Sequence, residues 1–417
     1  MEEYVIKRRI KHPLLMGSVV FLACIVFTVI YWPIWGLLVD GIATRLAGTG
    51  LALADPAVAN SYVVAFAEGT FFWMIINGWC WTALVFGLYG KYKRSNLQPY
   101  AGLRYLGITM LIGAVAFIVF AGFLGMWWKP FSFSILFTPQ TAEQVQLAIM
   151  GWNAINFFSL AILICNLPAV AVFHKWPFAG NLKAPWDGFG VFMFGTVAAL
   201  ILWIAMIVPS FMKFSLLGEE IVSQPFGTWP GFVAFAQGFL FMMLIPAEGG
   251  EGYPNKLFAK KQPLQAIFGL ILAIISGFVL PKIVASIIAP FDLLPGQPVE
   301  LVTASLILSW VLVMLTWHHL FDDYPGANLV SNTAARVLAR VAIFIVVGSI
   351  VGVVWLKTFH LLPFGSNDFG LGFPGMGVIA GQFAWIMPVV IVNTFFDKWP
   401  FAYRVRKEKP LEGKKVS

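Results

Sequence analysis

Five long apolar runs in this chain close on one short pattern: Phe or Gly, two residues, Trp or Tyr, then Pro or Gly. The five closings are Phe86-Gly87-Leu88-Tyr89-Gly90, Phe173-His174-Lys175-Trp176-Pro177, Gly250-Glu251-Gly252-Tyr253-Pro254, Phe321-Asp322-Asp323-Tyr324-Pro325 and Phe396-Asp397-Lys398-Trp399-Pro400. They stand roughly 70 to 90 residues apart, room for two membrane-crossing helices at about 20 residues each. Backbone amides in lipid have to be satisfied within their own element, and the alternation of barrel strands is missing, so the runs are helices.

Composition points the same way. Charged residues are 11% of the chain and hydrophobic ones 59%, against about 25% charged in a soluble domain. Such a chain cannot make a wettable surface, and lipid has to be its solvent. Cys24, Cys80 and Cys165 all fall within apolar runs; they fit small core residues, too few for a disulfide framework or a metal cluster. The basic start, Lys7-Arg8-Arg9-Ile10-Lys11, resembles a secretory signal. The following run from Leu14 to Leu38 is too long for one and reads as the first helix.

The expected spans fall near 14–38, 103–127, 188–212, 265–289 and 337–357 (odd) and near 62–88, 146–173, 229–250, 300–320 and 375–396 (even). All but five of the 27 Lys and Arg residues lie on one set of loops or at the two termini. By the positive-inside rule both termini are then cytoplasmic, which requires an even number of spans. The expected fold is an all-α integral membrane protein of ten transmembrane helices, arranged as five parallel two-helix hairpin repeats. The repeats cover approximately 12–96, 97–181, 182–258, 259–330 and 331–406, within one polytopic domain and with a basic tail over 407–417. The excess positive charge is a membrane-facing feature and does not indicate nucleic acid.

Each closing sits where an even helix meets the interface. Trp and Tyr favour that level, and Pro stops the helix. The acids Glu251, Asp322 and Asp397 are unfavourable at a helix carboxyl end and need compensation. Lys175, Lys256, Lys398 or the amino end of the next helix could provide it. The closings are either interfacial anchors copied by duplication or, at these three acids, an inner vestibule for cations or protons.

Ionisable groups within spans need a partner, water or a role. Glu68 and Lys282 fall at similar depth near the outer side, as an ion pair, two walls of a polar site, or separate side chains. His318 and Asp322 are four apart on one helix face, and Asn393 and Asp397 repeat that relation. A His–carboxylate pair there could relay protons or form a static hydrogen bond. Pro246-Ala247-Glu248-Gly249-Gly250-Glu251-Gly252 cannot hold a regular helix, and an unwound stretch with two carboxylates could line an ion or proton path. Amides such as Asn77, Asn156, Asn166, Gln237, Gln382 and Asn393 concentrate on even helices. Even helices are therefore expected inside and odd helices against lipid.

No nucleotide-binding loop, dinucleotide turn, metal-ligand spacing or catalytic set is visible. No enzyme activity, metal or cofactor is expected; the histidines fit no haem. The expected function is secondary transport of a small solute, such as an amino acid or small organic acid, coupled to an ion or proton gradient. The alternative is a non-catalytic membrane subunit or scaffold of a larger complex, possibly respiratory; a lipid- or quinone-handling enzyme ranks third. Expected partners are the bilayer and a small solute, with a homo-oligomer or complex partner left open. The expected location is a prokaryotic cytoplasmic membrane.

Overall fold

A computed structural model describes residues 4–89, 98–210, 215–216, 219–220, 225–361 and 377–406. Gly90, the cations Lys91, Lys93, Arg94 and Lys213, the Pro363-Phe364-Gly365 segment and the tail 407–417 lie outside the described residues. The main helices are α1 (Pro13–Leu53), α2 (Pro56–Val85), α3 (Tyr100–Trp127), α4 (Ala142–Ala171), α5 (Trp186–Ile207), α6 (Trp229–Leu244), α7 (Leu264–Ile288), α8 (Val299–Phe321), α9 (Thr333–Thr358) and α10 (Ala380–Thr394). Among the described residues eight helices are long and apolar enough to cross a membrane; α6 and α10 are shorter apolar helices.

Two boundaries differ from the sequence expectation. The first helix runs on from Leu38 to Leu53, because nothing stops it before Asp55-Pro56. There the Asp55 side chain accepts from the Ala57 amide at 2.8 Å and caps α2. The helix expected over 229–250 ends at Leu244, just ahead of Pro246 and the glycines.

Inner and outer helices separate by burial. In the spanning windows of α2, α4 and α8, 72–83% of residues are buried, against 28–33% in α1, α3, α5, α7 and α9. Leu22, Ile34, Leu111, Ile118, Phe194, Ile201 and Ile350 on the outer helices are all more than half exposed. So continuous an apolar surface is the face that lipid covers.

The even helices contact one another in chain order: α2 with α4, α4 with α6, α6 with α8, and α8 with α10. The cycle closes where Phe72 of α2 meets Phe383 of α10, ring centroids 5.7 Å apart, and where Trp79 Nε1 donates to Thr394 Oγ1 at 3.0 Å. Each later odd helix packs on the even helix before it: α3 on α2, α5 on α4, α7 on α6, α9 on α8. By the same rule α1 packs on α10, the last helix, and it also touches α2 and α8. Strand β1 (Tyr4–Arg8) pairs antiparallel with β2 (Ala402–Arg406), so the two ends of the chain lie side by side.

Polar side chains join the layers. Asn77 Nδ2 donates to Ser159 Oγ at 2.7 Å and Asn156 Nδ2 to the Ala65 carbonyl at 2.9 Å, both between α2 and α4. Trp203 Nε1 donates to the Ala154 carbonyl at 2.7 Å, tying α5 to α4. Gly78 and Gly113 let α2 and α3 approach backbone to backbone: a Cβ on Gly113 would collide with the Trp73 carbonyl, and one on Gly78 with the Thr109 carbonyl.

All five closings share one backbone. The second and third residues are both left-handed: Gly87/Leu88, His174/Lys175, Glu251/Gly252, Asp322/Asp323 and Asp397/Lys398, with φ between +49° and +88°. The third residue's amide donates six residues back in every case: Leu88 to Thr82, Lys175 to Ala169, Gly252 to Pro246, Asp323 to Trp317, and Lys398 to Val392, at 2.8–3.4 Å. The bond reaches one residue further than a Schellman bond and does the same work, satisfying a carbonyl that a helix end leaves without a donor. Tyr89, Trp176 and Trp399 stand exposed beyond it.

Two stability outcomes follow. His174 is exposed and left-handed at φ 49°, so His174→Gly should keep or raise the thermal midpoint in detergent, while His174→Val should lower stability by about 1–2 kcal/mol. Gly113→Ala should cost about 1–3 kcal/mol, because the obstacle is backbone and cannot rotate away.

Candidate functional site

Three closings, those of α6, α8 and α10, meet at the end of the bundle that carries both chain ends, and the ionisable side chains gather there. Beyond Leu244 the α6 chain turns through Pro246 to Gly249, and the amides of Ala247 and Glu248 both donate to the Leu244 carbonyl. The Glu248 carboxylate thereby faces α8. It is 15% exposed, and its Oε2 is inaccessible and accepts no hydrogen bond from the described residues. Burial pushes this carboxyl up to about 7; His318 opposes the shift and Asp323 adds to it.

Two imidazoles of α8 flank that oxygen. His318 Nε2 lies 3.5 Å and His319 Nε2 4.0 Å from Glu248 Oε2. Each ring is held through its other nitrogen. His318 Nδ1 lies 3.1 and 3.0 Å from the two oxygens of Asp323, and His319 Nδ1 lies 2.8 Å from the Asn393 amide on α10. The sequence pairing of His318 with Asp322 is corrected here. Residue 322 is already left-handed, so the helical i, i+4 relation ends at Phe321. The turn brings Asp323 to His318 and points Asp322 away, where Lys398 Nζ reaches it at 2.8 Å and Arg8 at 2.9 Å. The Asn393–Asp397 relation breaks for the same reason: Asn393 goes to His319, and Asp397 accepts from Gln98 Nε2 at 3.0 Å.

Glu251 plays a different part from the one its position suggests. Arg336 binds it in a two-pronged pair, Nε to Oε1 and Nη2 to Oε2, both at 2.6 Å, and Arg340 Nη1 adds a bond of 3.0 Å to Oε1. The Arg336 pairing holds the Glu251 carboxyl below the usual carboxylate range. Arg340 also donates to the Gly249 and Pro325 carbonyls, each at 2.8 Å. The unwound Gly249 carbonyl is therefore taken by a guanidinium. This cluster locks α9 against the ends of α6 and α8.

The remaining sequence candidates lie elsewhere. Glu68 is half-buried on α2, which packs on α1 and α4; Lys282 is exposed on α7, which packs on α6 and α8. The two therefore stand on helices that pack against different neighbours. Gln382 is a crosslink: it exchanges bonds with Ser305 and donates to Ser309 Oγ at 2.7 Å, joining α10 to α8. Gln237 is 1% exposed within α6, and its Oε1 accepts no hydrogen bond from the described residues.

Sequence reasoning missed His319, Asp323, Arg336 and Arg340 as members of these clusters. The His318-His319 doublet was a usable signal. The two arginines read as ordinary interfacial cations at a helix start, yet they are 5% and 4% exposed. Among the described residues no group of three or more His, Cys, Asp or Glu stands ready to hold a metal ion. The chain matches no protein-family model, and no curated protein or solved structure matches it.

Glu248 and Glu251, three residues apart, should respond oppositely to pH. Glu251 has a lowered folded pKa, so its contribution is present above its ordinary value of 4.5 and is lost as pH falls through the folded value. Glu248 has a raised one, so folding loses stability as pH rises from 4.5 to about 7. Thermal midpoints in detergent should show Glu251→Gln less stable than the parent at neutral pH, with the gap closing in acid. Glu248→Gln should be more stable than the parent above about pH 8.

Proposed function

We propose that the chain is a ten-span membrane protein made of five like-directed helical hairpins, with both termini in the cytoplasm, and that it moves a small solute across the bilayer together with a cation. The observation that carries this reading is the Glu248 site. A half-buried carboxylate sits between the ends of inner helices, beyond a broken helix end, with one oxygen shut off from water that accepts no hydrogen bond from the described residues. A structural role would normally pair such a group, as Arg336 and Arg340 pair Glu251. Unwound helix ends beside a carboxylate are where transporters hold coupling ions. The paired end strands, the five equivalent helix closings and the cyclic order of inner helices support the repeat and a common side for both termini.

Gradient-driven uptake in proteoliposomes tests it, with amino acids and small organic acids as solutes. The parent should accumulate a solute, and Glu248→Gln should reduce the rate by about tenfold or more while staying monodisperse. Absence of uptake across both classes, with a redox enzyme co-purifying in fixed ratio, would transfer the protein to the membrane-subunit reading. Impermeant labelling of cysteines placed at the two ends should mark both from the same face.

A further inference from the structure

His318 is placed between two carboxylates that differ in access to water. On one side Nδ1 meets Asp323, whose side chain is 27% exposed; on the other Nε2 faces Glu248, 15% exposed and with Oε2 inaccessible. The ring itself is 34% exposed, at the margin of the cluster. Its orientation is over-determined. The left-handed turn at Asp322 and Asp323, anchored by the Asp323 amide on the Trp317 carbonyl, brings the Asp323 carboxylate onto Nδ1. An imidazole is the one side chain that can take a proton on one nitrogen and release another from the far nitrogen near neutral pH.

We propose that the coupling cation is a proton, which enters from water through Asp323 and His318 and is stored on Glu248. The inference rests on the transport reading for its biological consequence and on the three side chains alone for its chemistry. In the step, a proton delivered by water to the Asp323 carboxylate passes to His318 Nδ1. The Nε2 proton passes to Glu248 and converts its carboxylate to the neutral acid. The ring then returns to its starting tautomer by giving the Nδ1 proton back to water through Asp323 and taking one from water at Nε2, since it is partly exposed, so the net change is one proton moved from water to Glu248. The 3.5 Å between Nε2 and Oε2 exceeds a hydrogen bond, so the transfer requires the ring and carboxyl to close by about half an ångström.

The groups facing the site fit this assignment. His319, on the same helix, is held by Asn393 and keeps the opposite side of Oε2 polar. Lys398 and Arg8 are occupied by Asp322, and Arg336 and Arg340 by Glu251. Among the described residues no Lys or Arg pairs with Glu248, and the two imidazoles are the nearest nitrogens to its Oε2. The raised Glu248 carboxyl is consistent with a group that changes charge near neutral pH. Protonation removes the attraction between Glu248 and His318, and with it one of the ties between the end of α6 and α8. That converts a charge change into a change in helix packing.

Infrared difference spectra of the detergent-purified chain, taken across about pH 5 to 9 without any solute, test proton storage. A protonated-carboxyl carbonyl band should grow as pH falls, with its midpoint near neutrality. It should vanish in Glu248→Gln and shift in Glu248→Asp. Proton influx into proteoliposomes holding a trapped pH dye tests the route. His318→Ala should slow it by about tenfold or more, and added imidazole should restore it, which a purely structural histidine would not allow. His360→Ala, in an exposed helix end, should leave influx unchanged. Absence of any titrating carboxyl band in the parent chain overturns the proposal. So does stoichiometric Co²⁺ binding with tetrahedral absorption bands that Glu248→Gln abolishes, which would make the cluster a metal site. A titrating band with no solute uptake would retain the proton site and remove the transport reading.

Discussion

A helix in lipid satisfies its own backbone everywhere except at its ends, and the last carbonyls must find donors before the chain can turn. The bundle solves that problem the same way at the end of every inner helix, with two left-handed residues and an amide that reaches six residues back. Eight of those ten left-handed positions carry side chains. A position that favours glycine is thus used to project Asp, Lys, His or Glu at a fixed angle from the end of an inner helix.

The functional cluster grows out of that constraint. At the first two closings the projected residues are Gly87, Leu88, His174 and Lys175, and only Lys175 has a charged partner, Asp187 on α5. At the last three the projected residues are mostly acids and Lys398, and they interlock around the ends of α6, α8 and α10. Asp322 takes Lys398 and Arg8, Glu251 takes Arg336 and Arg340, and Asp323 takes His318. The first two sets match charges with their opposites, and the third sets a carboxylate against an imidazole. Among the described residues, Glu248, one turn earlier and outside the repeated pattern, has two imidazoles beside Oε2 and no hydrogen bond on that oxygen.

The outer helices supply a different kind of order. Their apolar faces need only lipid, while rings from both ranks fill the core: Trp32 of α1 against Phe71 of α2, and Trp73 of α2 against Phe117 of α3 and Phe158 of α4. Amides and serines crosslink the inner ring where aromatic packing leaves polar backbone within reach, as Asn77, Asn156 and Gln382 do. Pairing of β1 with β2 places Arg8 against Asp322, so the start of the chain also completes the charge balance of the fourth closing.

The sequence by itself determined the helical class, the positions of most spans, the inner and outer ranks and the five helix ends. Hydropathy over 20 residues, amide placement and the Pro-terminated pattern are local properties that survive without coordinates. It also singled out Glu248, Glu251, His318 and Asp322. What only the tertiary structure decided is which of these are partners. A left-handed residue reverses the direction of the next side chain, so counting four residues along α8 selected Asp322 where the turn delivers Asp323. Arg336 and Arg340 come to Glu251 from 85 and 89 residues away, a distance over which periodicity carries no information. The closure of the ring through α1, α10 and α2 likewise depends on contacts between the two ends of the chain, which only packing brings together.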